Sequence, residues 1–571
     1  MNTNYNEISK IVIDKEEIVV SLEEYKKLLN QLEKDTSFDE VCDLLMQLNK
    51  IRDAFLTKYW ISYIGYLLNI NDEKYLQSEK IMGELEPIMD SLKIRYYSII
   101  IKSKFRSALE NEYGSRLFSI AENEALLMSD NIADEITKEK ALYKEYLNLV
   151  INTRFDFNGE ELNLPKLNKY LVSDDRAMRK KAYNKRFEIL LSLESDIDEI
   201  INRIIITRTK IAQMLGFSSY SQVGDIKMNR IGYGDKDIKV FREQVKKYIV
   251  PLIIKLREKQ KERLGLDKLM YYDAGYLFND GNAKVIGDLA SVVKITSTIL
   301  NEANSESGNL FDEMIKNGLI DLSDKDNKSN GGITTYLPDF RVPMFIKKYL
   351  GLDDNITSIH HEFGHSQQLF YSRDLMFHEN RWPTFDICEI HSTAMEFLMY
   401  PYLEEYFGKD VNKYKIKHLT GTLGILVSMS ITDEFQHFIY DNPNIKPEER
   451  KTKWLELCAE YYPERSHDHE YFAKGIDWQA DSSRIDTPFY AIDYAIAGIC
   501  GVSFYEKQKE NEKAAWDMFI KLCKVGGSKS LLEIIELGNI NNPFSDGSIK
   551  KVARILESDI SNINVVKKFK K

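Results

Sequence analysis

His361 and His365 decide what one stretch of this chain must fold into. The run reads Ile356-Thr357-Ser358-Ile359-His360-His361-Glu362-Phe363-Gly364-His365-Ser366-Gln367-Gln368. Its H-E-x-x-H spacing sets two imidazoles one turn apart on a single helical face. Zinc takes nitrogen ligands at about 2.0–2.1 Å, and two histidines so spaced supply them without distorting the backbone. Glu362 lies beside that face, where it can act on a zinc-bound water instead of binding the metal. All 9 histidines of the 571 residues fall between His360 and His469. That concentration argues against two solvated surface histidines.

A third ligand follows in a second patterned helix, the largely apolar run from Thr384 to Tyr400. Within it Glu389, Thr393 and Glu396 recur at i, i+4 and i+7 and share one face. A carboxylate on a buried helix is costly unless it is paired or bound to metal. Glu389 completing a His-His-Glu site, with Glu396 anchoring a ligand histidine, removes that cost. The competing reading is a buried salt bridge from either glutamate to a Lys or Arg. Asp374, His378, Glu379 and Asp386 are rival ligands around the link Phe377-His378-Glu379-Asn380-Arg381-Trp382-Pro383. The longer motif H-E-x-x-H-x-x-G-x-x-H is excluded, because Gln368 and Tyr371 stand where it needs Gly and His.

On these residues the chain resembles the thimet oligopeptidase and oligoendopeptidase F zinc metallopeptidases, and most closely the oligoendopeptidase F-like members. The likeness rests on His361-Glu362-Phe363-Gly364-His365, on Cys388-Glu389-Ile390-His391-Ser392 through Met395-Glu396, and on the approach Arg381-Trp382-Pro383-Thr384. Pro488-Phe489-Tyr490-Ala491-Ile492-Asp493-Tyr494 is similar to the family's tyrosine-rich segment. Weaker likeness passes through Phe155 to Gly159, Gly216 to Tyr220 and Tyr336 to Asp339. The resemblance implies a mainly α fold: a large two-lobed helical spindle with a deep substrate channel. It also implies one zinc per chain and cleavage of short peptides inside the chain. One departure stands out. Some members carry a histidine shortly before the tyrosine segment, where this chain has Ser482-Ser483-Arg484-Ile485-Asp486. Arg484 is the candidate cationic substitute.

Composition narrows the partners. The net charge is −11 and Lys and Arg are spread throughout, so no basic stripe offers itself to nucleic acid. No run approaches 18 uncharged apolar residues, and the N-terminal Met1 to Glu7 lacks the basic-then-apolar order of a signal peptide. The five cysteines, Cys42, Cys388, Cys458, Cys500 and Cys523, are scattered without a C-x-x-C pair. They read as reduced thiols of a cytoplasmic protein. Short peptides are the expected partners. A monomer fits, but the oligomeric state is open.

From Leu22 to about Val150 the spacing predicts helices, with Leu28, Leu29, Leu32, Leu44, Leu45, Leu48 and Ile51 on buried faces and Pro87 the lone proline. Ile151 to Leu164 alternates around Asn158-Gly159, a hairpin signal. Long helices are expected over Asp174 to Leu215, a turn at Gly232-Tyr233-Gly234, and a further helix ending near Leu264-Gly265. Residues 1–200 are expected to form an N-terminal helical region contributing to the channel wall, and 201–571 the catalytic region. After the polar loop Asp321 to Gly332, two short strands are predicted, Ile333 to Tyr336 and Val342 to Ile346, forming a small sheet beside the motif helix. The second reads as an edge strand that could hold an extended peptide through its main chain. The resemblance favours this substrate role, with Tyr336, Val342, Met344, Phe345 and Ile346 as binding residues beside Arg484.

The chemistry expected is metal-assisted amide hydrolysis. His361, His365 and Glu389 hold Zn²⁺, and Glu362 moves the proton from water to the leaving amine. Tyr490 and Tyr494, implied by the resemblance, donate to the oxyanion. The alternatives are a zinc carboxypeptidase on a similar helical fold and a peptide-binding homologue with weakened turnover.

Overall fold

The computed structural model describes residues 4–34, 37–127, 130–329, 331–465 and 468–563. It is mainly helical, with two small sheets. Contacts group the chain into two compact units, each assembled from three segments. The first comprises Met1–Leu126, Lys284–Val411 and Cys500–Asn542; the second comprises Leu127–Ala283, Asn412–Ile499 and Pro543–Lys571. Each unit draws segments from both sides of residue 200.

In the first unit the N-terminal helices are Lys15–Leu32, Phe38–Leu68 and Glu73–Lys102. Their starts follow from capping chemistry. Asp14 accepts from the Glu16 and Glu17 amides, Ser37 and Glu40 form a reciprocal box, and Asp72 accepts from Lys74. Leu28, Leu29, Leu32, Leu44, Leu45 and Leu48 are buried together as their spacing predicts, while Ile51 is partly buried. Pro87 stays inside its helix.

The predicted hairpin of the second unit forms. Strand β1 (Phe155–Phe157) pairs antiparallel with β2 (Glu160–Leu162). Asn158 and Gly159 turn it at φ +58° and +80°, the paired positive values that a two-residue turn requires and that Asn-Gly tolerates. Helices Arg176–Ser192 and Glu194–Met214 fill the expected stretch, and the helix Val250–Leu264 stops at Gly265 with φ +62°.

The second sheet lies in the first unit, where strands β4 (Ile333–Leu337) and β5 (Val342–Ile346) match the predicted runs. Their order corrects one expectation. A short strand, β3 (Ile320–Asp321), pairs parallel to β5, so the sheet runs β3-β5-β4 and Val342–Ile346 is the middle strand. Every residue of β5 is buried. Its side chains of Val342, Met344, Phe345 and Ile346 are core, and β4 is the long strand left on the edge. Lys328 staples the preceding loop to this sheet. Its ammonium, 0% exposed, donates to the Asp321 and Ser323 carbonyls, the Asp321 carboxylate and the Lys347 carbonyl at 2.8–3.1 Å.

Among the described residues no helix is long and apolar enough to cross a membrane. The five cysteines form no disulfide; Cys42 is partly buried and the other four are buried.

Candidate active site

The motif runs through the helix Asp353–Tyr371, which packs against β4, β5 and the helix Phe385–Leu398. Asp353 and Asp354 occupy its first turn, where carboxylates suit the helix dipole. The second helix starts after Pro383 and Thr384, and Asp386 accepts the Ile387 amide at its N-terminus. The two helices pack closely at Gly364. A β-carbon there would sit 2.7 Å from the His391 carbonyl oxygen and 2.8 Å from Ser392 Cα. Glycine in the motif therefore lets the second helix approach near enough for its glutamate to reach the histidines.

That approach yields a three-residue cluster. His361, His365 and Glu389 each offer a ligand atom within 4.8 Å of the others, the one such group of three or more among the described residues. Glu389 Oε2 lies 3.2 Å from His361 Nε2 and 3.6 Å from His365 Nε2. Ligands at about 2.0–2.1 Å around a tetrahedral ion stand roughly 3.3 Å apart, so the donor set fits zinc in both chemistry and spacing. Ser392 Oγ donates to Glu389 Oε2 at 3.0 Å and holds the carboxylate, which is 3% exposed.

Glu396 lies beside the cluster, its Oε1 2.8 Å from His361 Nδ1. A proton on Nδ1 would leave the Nε2 lone pair directed at the cluster. Burial opposes charge on His361, but hydrogen bonds to Glu389 and Glu396 outweigh it and push the imidazole well above its ordinary value. Burial prevails at His365 and lowers it. Glu362 sits on the same helix with its carboxylate tied to the sheet: Thr334 Oγ1 donates to Glu362 Oε2 at 2.5 Å. Gly332 lies beside it, since a β-carbon there would come within 3.2 Å of Glu362 Oε1 and 2.4 Å of Lys347 Cδ.

The rival ligands have other partners. Glu379 takes a two-pronged bond from buried Arg52, both arms 2.8 Å, and a further bond from the Tyr97 hydroxyl. Asp374 pairs with Arg341, and His378 stacks on Trp382. The buried Arg52–Glu379 pair also fixes the link between the two ligand helices. Asn49 donates to the Met376 carbonyl, Arg381 pairs with Asp53, and Asn380 donates to the Tyr113 carbonyl. The N-terminal helices thus clamp the chain joining the two ligand-bearing helices.

Tyr490 and Tyr494 belong to the second unit, where Tyr490 donates to the Tyr494 hydroxyl at 2.8 Å with the rings 5.1 Å apart. Arg484 lies in the same unit. Its guanidinium stands over the Trp454 ring at 5.0 Å and its Nε lies 3.3 Å from Asp481. Tyr336 is buried in β4 with Arg381 over its ring, so it can meet a ligand only through its backbone. Thr334, Ser392 and Gly364 were not singled out by sequence. Gly364 alone carried a signal, a glycine inside a helix.

The model of peptidase family M3 matches residues 169–554, and that of the peptidase M3 N-terminal domain matches 13–128. Oligopeptidase PepF of Bacillus subtilis is 21% identical over 460 residues, covering 74% of this chain and 67% of its own. The oligoendopeptidase F homolog of Borreliella burgdorferi is 22% identical, covering 70% and 68% respectively. The solved structure of PZ peptidase A with an inhibitor is 35% identical and superposes with a TM-score of 0.92 over 98% of this chain and 99% of that one. The chain belongs to peptidase family M3.

Proposed function

We propose that this protein is a zinc-dependent endopeptidase that hydrolyses internal bonds of short oligopeptides. The observation that carries the reading is the convergence of His361 Nε2, His365 Nε2 and Glu389 Oε2 beside a glutamate held by Thr334. His361, His365 and Glu389 would hold the metal, one ion per chain. Zinc, when bound, supplies Lewis acidity that polarises a water and lowers its pKa to about 7. Glu362 is the base. Thr334 occupies its Oε2, which leaves Oε1 to take a proton from the attacking water and pass it to the leaving amine nitrogen. Glu396 keeps the His361 ring oriented. Tyr490 and Tyr494 are the phenol donors for the developing oxyanion.

The peptide is held by main-chain pairing along the edge strand β4, in place of the inner strand Val342–Ile346. Such pairing accepts many sequences. The family membership and the relatives named oligopeptidase or oligoendopeptidase support short peptides as substrates.

The test is product analysis on a peptide blocked at both ends, with a free-ended control. Internal cuts are expected in both. Cleavage only when the C-terminus is free would replace the reading with a carboxypeptidase. Glu362→Gln should keep about one zinc per chain by elemental analysis and lose most activity. Near wild-type turnover in that variant would remove Glu362 as the base.

A further inference from the structure

The tyrosine pair follows a backbone conformation that the chain would not choose by itself. Phe489, immediately before Tyr490, has φ +72° and is fully buried. The left-handed region is uncommon for any residue with a side chain and unfavourable for a bulky one, so it persists only when its surroundings impose it. Here both polar backbone groups of Phe489 are taken by buried side chains. Its amide donates to Gln436 Oε1 at 2.9 Å, and its carbonyl accepts from Arg230 Nη2 at 2.6 Å. Gln436 is 2% exposed and the Arg230 side chain 1%.

The hold extends upstream. The same Gln436 amide donates to the Arg484 carbonyl at 2.9 Å, and buried Arg208 donates to the Asp486 carbonyl at 3.2 Å. Arg230 is itself fixed by Asp225 at 2.5 Å. The Phe489 ring lies against Gly224, where a β-carbon would come within 2.1 Å of it, and against the rings of His437 and Tyr440. Three side chains from distant parts of one unit therefore grip the stretch 484–489 by its backbone, and its exit delivers Tyr490 to Tyr494.

We propose that Gln436 and Arg230 are positioning residues: they enforce the left-handed turn at Phe489 and so aim the Tyr490 hydroxyl. This rests on the reading of Tyr490 and Tyr494 as oxyanion donors. Loss of either clamp lets Phe489 relax toward negative φ, which rotates the chain entering Tyr490. Misplacing a catalytic group by about 1 Å can cost on the order of 100-fold, so kcat should fall roughly 10- to 100-fold while KM and zinc content hold.

The experiment uses full-length zinc-loaded protein with 3-fluorotyrosine at position 490. It compares Gln436→Met, Arg230→Lys, Tyr490→Phe (without the label) and Gln436→Met combined with Tyr490→Phe. Fluorine NMR reports the ring's surroundings without reference to turnover. A shifted or broadened resonance in Gln436→Met and Arg230→Lys supports the clamp, and an unmoved resonance in both overturns it. In kinetics, Gln436→Met should lower kcat in the parent and not further in the Tyr490→Phe background. Additive losses would mean that Gln436 acts elsewhere and would overturn the proposal. A Tyr490→Phe variant with parental kcat, alongside a shifted resonance, would leave the clamp standing and remove the catalytic role of Tyr490. Should Gln436→Met fail to fold, Arg230→Lys carries the test, because it keeps the charge but loses the forked geometry.

Discussion

The ligand cluster and the tyrosine pair are built by opposite means. His361, His365 and Glu389 stand on two regular helices, where spacing along the chain sets direction and a glycine at the crossing sets separation. Tyr490 follows a left-handed residue in irregular chain, held by partners 53 and 259 residues away. Regular backbone carries its precision locally. Irregular backbone borrows precision from distant side chains, and a change far off in sequence can then disturb it.

The largest effects should come from the locally built cluster. Glu389→Ala should abolish zinc retention after dialysis, whereas Glu396→Ala should weaken it ~10–100-fold, as expected for a partner one shell out. The reverse ranking would break the assignment of roles along that helix.

Next comes the link between the ligand helices, the part of the first unit that behaves like the tyrosine segment. Arg52→Met leaves Glu379 buried without its partner and should destabilise by ~3–5 kcal/mol in denaturant unfolding, while Arg52→Met with Glu379→Leu recovers most of it. The same pair makes a pH prediction. Burial raises the Glu379 carboxyl but Arg52 outweighs it, so its pKa falls from 4.5 to about 2. The folded value lies below the unfolded one. Its stabilisation is therefore complete above about pH 4.5 and is lost as pH falls toward 2. His378, lowered from 6.5 to about 3 chiefly by burial and then by Arg52, adds a loss that begins below pH 6.5. The double variant should flatten the more acidic part of the stability curve.

Gly364→Ala tests the crossing. Overpacking costs ~1–3 kcal/mol, and because the neighbour is backbone the helices must separate, so zinc affinity should drop along with stability. Unchanged zinc affinity would show that the crossing has slack. The smallest effect belongs to Thr334→Val. Losing one hydrogen bond to a charged group should cut kcat about tenfold at constant zinc content; a change in zinc content instead would make Thr334 a support of the ligands.

These contrasts explain what could be read from sequence. The motif, Glu389 and Glu396 were legible because helical period alone brings them to shared faces. The hairpin was legible because Asn158-Gly159 names its own turn. Strand order was not. Its neighbours in the chain suggest an edge position for Val342–Ile346, although the unbroken run Val-Pro-Met-Phe-Ile is the pattern of a strand buried on both faces. Nothing local pointed to Thr334, Ser392 or Gln436, because small hydroxyls and a lone amide acquire meaning only from what the fold sets opposite them. The two units were equally hidden, since each is built from three separate segments and no linker marks the exchange.

That arrangement has a consequence for how the protein is made. Arg52 precedes Glu379 by 327 residues. At about 5–20 residues per second, the ribosome delivers its carboxylate partner roughly 16–65 s later. Until then the helices Lys15–Leu32, Phe38–Leu68 and Glu73–Lys102 carry a cation destined for burial and a surface awaiting chain not yet translated. The nascent N-terminal region should accordingly be a client for chaperones, and slow codons between 126 and 284 would lengthen its exposure.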